Sequence, residues 1–88
     1  MSDVIPVSFG ARWGAPVCLV QKRAVKRIKG PAEAIRFMKT DFRERSGTAY
    51  SRAVAVCFAA LRRETEPDVA RHFFLAAYES ELRARSEH

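Results

Sequence analysis

The segment Tyr50-Ser-Arg-Ala-Val-Ala-Val-Cys-Phe-Ala-Ala-Leu61 carries the strongest structural signal in the chain, because residues 53–61 form an unbroken apolar run between Arg52 and Arg62. With a helical period of about 3.6 residues, one broad face of this segment is apolar. That face consists of Tyr50, Ala53, Val54, Cys57, Phe58, Ala60 and Leu61. The pattern predicts a central, largely buried helix.

The size of the chain limits what can surround that helix. With 88 residues, of which 48% are apolar, we expect a single domain that buries roughly 60–65% of its unfolded surface. One hydrophobic core is feasible, whereas a large second cavity for a bulky cofactor would be hard to fit, and we predict no cofactor. The chain ends, residues 1–3 and 84–88, are expected to be flexible.

Positive charge is concentrated in the first two thirds of the chain. The net charge is +6. Residues 12–63 hold thirteen lysines and arginines against three acids, whereas residues 64–88 hold three against six. Such a distribution attracts polyanions, although it also serves solubility.

The two cysteines and the N-terminus bear on the cellular compartment. Cys18 and Cys57 both lie in apolar runs, which predicts two reduced, buried thiols. The N-terminus lacks the charged and apolar regions of a signal peptide, and no apolar stretch approaches the roughly 20 residues of a membrane span. We therefore expect a cytoplasmic protein that does not enter a membrane.

The N-terminal part predicts extended structure. In residues 4–9, apolar side chains alternate, and Pro6 restricts the segment to an edge strand or an ordered arm. Trp13 is either a lid over the core or an exposed contact residue. Burial is favoured, because a small domain needs its tryptophan for core packing.

A hairpin follows over residues 17–29. Val17-Cys-Leu-Val20 predicts one strand and the segment from Ala24 to Lys29 predicts the next. Val25 and Ile28 have opposite parity on the second strand, so one of them is expected at a bulge, at a strand end or on the solvent face.

Three helices are expected after the hairpin, at about residues 31–43, 48–62 and 66–83. Pro31 suits the first position of the first helix, and Thr48 is the expected N-cap of the second. The core face of the first helix comprises Ala34, Ile35, Phe37, Met38 and Phe42. The fold class is therefore α+β, with a small antiparallel two- or three-stranded sheet packed against three α-helices.

The third helix has two apolar faces. One is rich in small residues, and the other carries the larger side chains Phe74, Leu75, Tyr78 and Leu82. This second face is a candidate interface for a homodimer or a protein partner, because a small chain has few elements to cover it. Alternatively, the sheet covers one face and the second helix the other. Glu79 and Arg83, and Glu81 and Arg85, are spaced as surface ion pairs.

Several short matches resemble a known family. They are Pro16-Val17, Glu33-Ala34, Phe37-Met38, Gly47, Tyr50, Ala53, Cys57, Leu61, Ala70-Arg71, Phe74-Leu-Ala-Ala77 and Glu79. Their order and spacing resemble the small rhizobial proteins grouped as domain of unknown function family nine-eight-two. The resemblance covers about residues 9–82. It implies a small α+β domain but identifies no activity, because the family is uncharacterised. The chain departs at Phe42-Arg43, where the family has Trp-Pro, and at Arg63, where it has glycine.

Catalytic and metal sites are weakly supported by the sequence. His72 and Glu79 lie two helical turns apart, which could orient an imidazole against a carboxylate, but a surface histidine with an incidental neighbour is the favoured explanation. Two distant cysteines and one internal histidine do not form a zinc motif. We therefore predict no enzyme activity, no catalytic residues and no metal site.

The basic hairpin is the second functional candidate. Five cations fall within eight residues and no acid lies among them: Lys22, Arg23, Lys26, Arg27 and Lys29. They can contact a phosphate backbone, but no aromatic residue is interleaved to stack on a base. A charged edge that prevents strand-to-strand aggregation explains the same residues.

Taken together, these patterns predict a non-catalytic interaction or binding module of uncharacterised function. Its expected surface is the second apolar face of the third helix. The alternative is weak binding of nucleic acid or another polyanion through residues 22–29.

Overall fold

Two strands and three helices follow one another in the part of the chain that the structure describes. The computed structural model describes residues 10–21 and 24–86. The elements are β1 (Val17–Gln21), β2 (Ala24–Ile28), α1 (Pro31–Asp41), α2 (Thr48–Leu61) and α3 (Pro67–Ser86). This arrangement confirms the predicted α+β fold. The possible strand over residues 4–9 and the chain ends 1–3 and 87–88 lie outside the described residues, whereas residues 84–86, expected to be flexible, are helical.

The hairpin has one face in the core and one in solvent. β1 and β2 pair antiparallel, with Val17 opposite Ile28 and Val20 opposite Val25. Val17 and Ile28 are buried, whereas Val25 is 62% exposed, which confirms that one of the two apolar residues of β2 faces solvent. Because side chains alternate along a strand, Cys18 lies on the outer face. Cys18 is exposed, so the prediction of two buried cysteines is wrong for this residue.

Helix α1 begins as predicted and ends two residues early. Pro31 occupies its first turn, and the predicted core side chains on this helix and just beyond it are all buried. The helix ends at Asp41 rather than at residue 43, with Phe42 in extended backbone conformation. The backbone N–H groups of Arg43 and Glu44 instead donate to the Glu81 carboxylate, so they are satisfied without another helical turn.

Helix α2 is the central helix, because it packs against both α1 and α3. Ala53, Cys57 and Leu61 are buried in its core face. Phe58 departs from the predicted buried face: it is 36% exposed, and Lys39 Nζ lies 5.4 Å from its ring centroid. Thr48, the predicted N-cap of α2, does not occupy the N-cap position. Gly47 occupies that position and makes no side-chain hydrogen bond, since it has no side chain.

The C-terminus of α2 closes with a Schellman motif. Arg63 N–H donates to Ala60 O at 3.1 Å, and Glu64 N–H donates to Ala59 O at 2.8 Å. This geometry requires a left-handed residue after the helix, and Arg63 has φ 62°. Glycine favours that conformation because it has no Cβ.

We expect Arg63→Gly to have a free energy of unfolding about 0.5–1 kcal/mol higher than that of Arg63→Ala, because both remove the same side-chain contacts and only alanine keeps a Cβ in the left-handed region. Relief of the left-handed strain exceeds the extra backbone entropy of glycine in the unfolded chain. Urea denaturation measures the change. Arg62→Gly is the matched control, because Arg62 has φ −86°, and glycine there is expected to be destabilising. Equal effects of the two substitutions would contradict the strain argument.

Aromatic side chains fill the space between α3 and the other helices. The ring centroids of Tyr78 and Phe37 are 6.2 Å apart, and those of Tyr78 and Phe42 are 6.3 Å apart. At the other end, Trp13 is buried and its ring centroid lies 5.7 Å from that of Phe74. The prediction that Trp13 forms a lid over the core is therefore confirmed.

Glu81 is the buried charge of this fold. Sequence spacing predicted a surface pair with Arg85, but Glu81 is only 2% exposed and accepts a hydrogen bond from Arg85 Nε at 2.7 Å. Its two carboxylate oxygens also accept the N–H groups of Arg43 and Glu44. Arg85 Nη2 in turn donates to Asp41 O at 2.9 Å. These bonds hold the end of α1 and the following loop against α3, and they explain why α3 continues past residue 83.

Candidate functional site

The described part of the basic hairpin divides its charges between two faces. Lys26, Arg27 and Lys29 are all exposed, while Lys22 and Arg23 lie outside the described residues. In the hairpin register, Lys26 is opposite the buried Leu19, whereas Arg27 is opposite the exposed Cys18. Since partners across an antiparallel pair share a face, Lys26 and Arg27 belong to opposite sides of the ribbon. The cations of the hairpin are therefore not all on one face of the ribbon.

A groove gathers a different set of cations. It has a volume of about 320 Å³ and is lined by Arg12, Trp13, Pro16, Arg27 and Lys29. Three of these five residues are positively charged and none is acidic. Arg12 was not among the predicted basic residues, because fifteen positions separate it from Arg27 and nothing in their spacing indicates that they meet.

Backbone hydrogen bonds hold the walls of this groove together. Trp13 N–H donates to Lys29 O at 2.8 Å, which fixes the segment around Arg12 beside the end of β2. Further along that segment, Gly14 N–H donates to Asp68 Oδ1 and Arg71 Nε donates to Ala15 O, both at 2.8 Å. Residues 12–16 are thus attached both to β2 and to the first turns of α3.

One carboxylate lies near the groove and has another role. Glu33 Oε1 accepts the backbone N–H of Lys29 at 2.8 Å, so it satisfies a donor just before the start of α1. Glu33 lines a neighbouring depression of about 150 Å³ together with Gly10, Ala11 and other residues. Arg12 and Lys29 border both cavities. The groove itself therefore keeps a positive lining.

The predicted interface on α3 is largely covered. Phe74 has no exposed surface, so its assignment to an outward face is wrong; it packs in the core against Trp13 and Phe37. Leu75 and Tyr78 are partly buried against the same core. The physical reason is that α1, α2 and the segment around Trp13 enclose the helix on several sides. Leu82, at 43% exposure, is the member of the predicted set that faces solvent.

The candidate catalytic groups do not form a site in the described part of the chain. His72 and Glu79 are both exposed, and no hydrogen bond joins their side chains. Burial raises the pKa of the Cys57 thiol to about 12, which removes it as a nucleophile near neutral pH. Among residues 10–21 and 24–86, no three His, Cys, Asp or Glu side chains are grouped to hold a metal ion.

Fold and surface together define a small α+β domain with a cationic groove beside its hairpin. The sequence profile described as "Protein of unknown function (DUF982)" matches residues 15–82, and the chain belongs to this family. No curated protein and no solved structure matches the chain. In the part that the structure describes, none of the helices combines the length and apolar character needed to cross a bilayer.

Proposed function

We propose that this chain is a non-catalytic, cytoplasmic module that binds nucleic acid, and that it does so by contacting the phosphate backbone. The observation that carries the proposal is the groove in which Arg12, Arg27 and Lys29 meet without a carboxylate. Lys26 adds an exposed cation on the same strand. The free thiols of Cys18 and Cys57 support the cytoplasmic assignment, since disulfides are rare in that compartment.

The surface chemistry favours contact with the backbone rather than with bases. Cations that neutralise phosphates release counterions, so binding weakens steeply with salt and is largely independent of sequence. Base stacking needs an accessible aromatic face, whereas Trp13, the aromatic residue of the groove, is only 5% exposed. The groove offers no nucleophile and no acid–base pair, which supports a binding role without catalysis.

The test is the salt dependence of binding to a labelled mixed-sequence DNA, measured by fluorescence anisotropy. We expect the double variant K26A/R27A to weaken binding similarly for unrelated sequences. We also expect it to flatten the slope of log K against log salt. For each phosphate that is no longer neutralised, the slope should fall by about 0.9 with duplex DNA, or by about 0.7 with single strands.

Arg83→Ala is the matched control for this experiment. Arg83 is exposed on α3, fifteen residues beyond Asp68, which is about 22 Å along a helix at about 1.5 Å per residue. Removing its charge is expected to change the slope by less than about 0.4, which is under half the value for one neutralised phosphate. An unchanged slope in K26A/R27A, or an equal effect of Arg83→Ala, would contradict binding through the hairpin.

A second function, protein interaction or homodimerisation, has its own supporting observation. Val20 and Val25 are 80% and 62% exposed and lie directly opposite each other on the outer face of the hairpin. An exposed apolar pair in this position, with Leu82 elsewhere on the surface, is a feature of docking surfaces. Sedimentation velocity of the protein and of V20K tests it. A concentration-dependent dimer that V20K dissociates is expected, and a monomer at all concentrations would argue against self-association.

A further inference from the structure

We infer that the groove is a discrete site for one phosphate group, carried by a nucleotide or another phosphoester. This inference rests on the proposed function. It assigns the binding of phosphate to one groove with a defined set of lining residues rather than to a general basic surface. The volume of about 320 Å³ lies at the lower end of the range of about 300–1,000 Å³ for small-molecule sites. The groove is therefore large enough for a phosphate with part of its ester group.

The lining residues suit a phosphate oxyanion. Arg12 and Arg27 each present a planar guanidinium, which binds two oxygens of a phosphate at once, and Lys29 supplies a compact third charge. Half-buried Pro16 and the small exposed part of Trp13 complete the wall of the groove. No lining residue has a negative charge to repel the anion.

The site is held in place before any ligand binds. The hydrogen bond from Trp13 N–H to Lys29 O joins the two walls next to Arg12. The bond from Lys29 N–H to Glu33 fixes the end of β2 to α1. Because the backbone of all three cations is anchored, binding orders only their side chains, and the entropic cost is reduced.

An unpaired buried donor in one of the lining residues is a second, independent observation. Trp13 Nε1 is buried and has no hydrogen-bond partner among the described residues. A buried N–H without an acceptor is unfavourable, and native structures rarely leave one unpaired. Trp13 is one of the residues that line the groove, although its Nε1 atom itself is buried. A phosphate oxygen in the groove would become its acceptor if the indole moved to expose this nitrogen, and ligand binding with that movement would relieve the cost.

Intrinsic fluorescence provides a direct readout, because Trp13 is the only tryptophan of the chain. We would titrate the full chain with inorganic phosphate, with adenosine monophosphate and with uncharged adenosine at fixed ionic strength. Backbone amide shifts at residues 12–16 and 27–29 provide a second readout that does not depend on the indole. Saturable changes with a stoichiometry of one are expected for the two phosphates and none for adenosine.

Arg12→Ala and Lys26→Ala form the decisive pair of variants. Both remove an exposed cation from the hairpin region, but only Arg12 lines the groove. Loss of a charge-assisted hydrogen bond predicts that Arg12→Ala weakens phosphate binding about tenfold or more. Lys26→Ala is expected to change it by less than about twofold. Circular dichroism verifies that both variants remain folded.

The outcomes separate this inference from the proposed function. If DNA binds but neither phosphate does, and Arg12→Ala and Lys26→Ala weaken DNA binding equally, the discrete site is overturned while polyanion binding stands. If both phosphates bind and DNA does not, the site is supported with free phosphoesters as its ligands, and the polymer function fails. Equal signals from adenosine and its monophosphate would also overturn the inference.

Discussion

Glu81→Ala is expected to lower the free energy of unfolding by about 2–4 kcal/mol, because three hydrogen bonds to one charged carboxylate are lost. The substitution removes a 2%-exposed carboxylate and leaves the N–H groups of Arg43 and Glu44 without their acceptor. Arg85 loses its ion pair at 2.7 Å. A domain of this length is stable by roughly 5–10 kcal/mol, so the loss is a large fraction of the total and should move the unfolding midpoint to a clearly lower urea concentration. Urea denaturation followed by circular dichroism measures the loss.

Glu79→Ala is the matched control on the same helix. Glu79 is exposed, and loss of a surface carboxylate typically changes stability by about 0.5 kcal/mol or less. If Glu79→Ala were as destabilising as Glu81→Ala, the effect would come from helix propensity or net charge rather than from the buried hydrogen bonds.

The same carboxylate makes stability depend on acid pH. Burial raises the pKa of Glu81, but the hydrogen bonds from Arg43, Glu44 and Arg85 and the charge of Arg85 outweigh it, so the pKa lies below its ordinary value of 4.5. The unfolded chain therefore binds a proton more readily than the folded chain. The contribution of Glu81 is complete above about pH 4.5 and is lost as pH falls through the lower folded pKa. Glu81→Gln should flatten this part of the curve of stability against pH.

Gly30→Ala is expected to lower the free energy of unfolding by about 2–3 kcal/mol. A Cβ at this position would lie 2.2 Å from the carbonyl oxygen of Ala11. The backbone at Gly30 and Ala11 cannot easily separate, because the hydrogen bond from Trp13 N–H to Lys29 O joins the two segments close by. The strand end and the N-terminal segment would have to separate. Thermal unfolding measures the loss, and phosphate titration should show that the groove is disturbed in the fraction that remains folded.

Gly47→Ala is the control for this prediction. Gly47 also precedes a helix, but a Cβ there meets nothing within 4 Å and its φ of −75° suits any residue. Its substitution is expected to change stability by less than about 1 kcal/mol. Equal losses in the two variants would mean that a helix start, and not the close approach to Ala11, sets the cost.

The candidate site was only partly predictable from the sequence. Arg27 and Lys29 stand out by the density of positive charge around them, because that signal is local. Arg12 does not, since it approaches Lys29 only through the Trp13 backbone hydrogen bond. The division of Lys26 and Arg27 between two faces follows from strand alternation. Whether the face that carries Lys26 is covered depends on how the helices pack against the hairpin, and strand alternation does not predict this.

Local patterns account for the elements of the fold. Alternation of apolar residues predicted β1 and β2, and the helical period with Pro31 and the turn at Gly47 predicted the three helices, because these signals arise from groups a few residues apart. They also predicted burial of Trp13, where a large aromatic side chain has few alternatives in a small core.

Long-range packing determined which side chains the elements bury. A helix with two apolar faces, such as α3, is compatible with several packings, and the enclosure of Phe74 depends on Trp13 and Phe37 arriving from distant parts of the chain. Glu81 looks like a surface residue in sequence, and its burial is tolerated because Arg43, 38 residues away, supplies a donor. Burial of a polar group depends on its partners, and those partners meet only when the chain has folded.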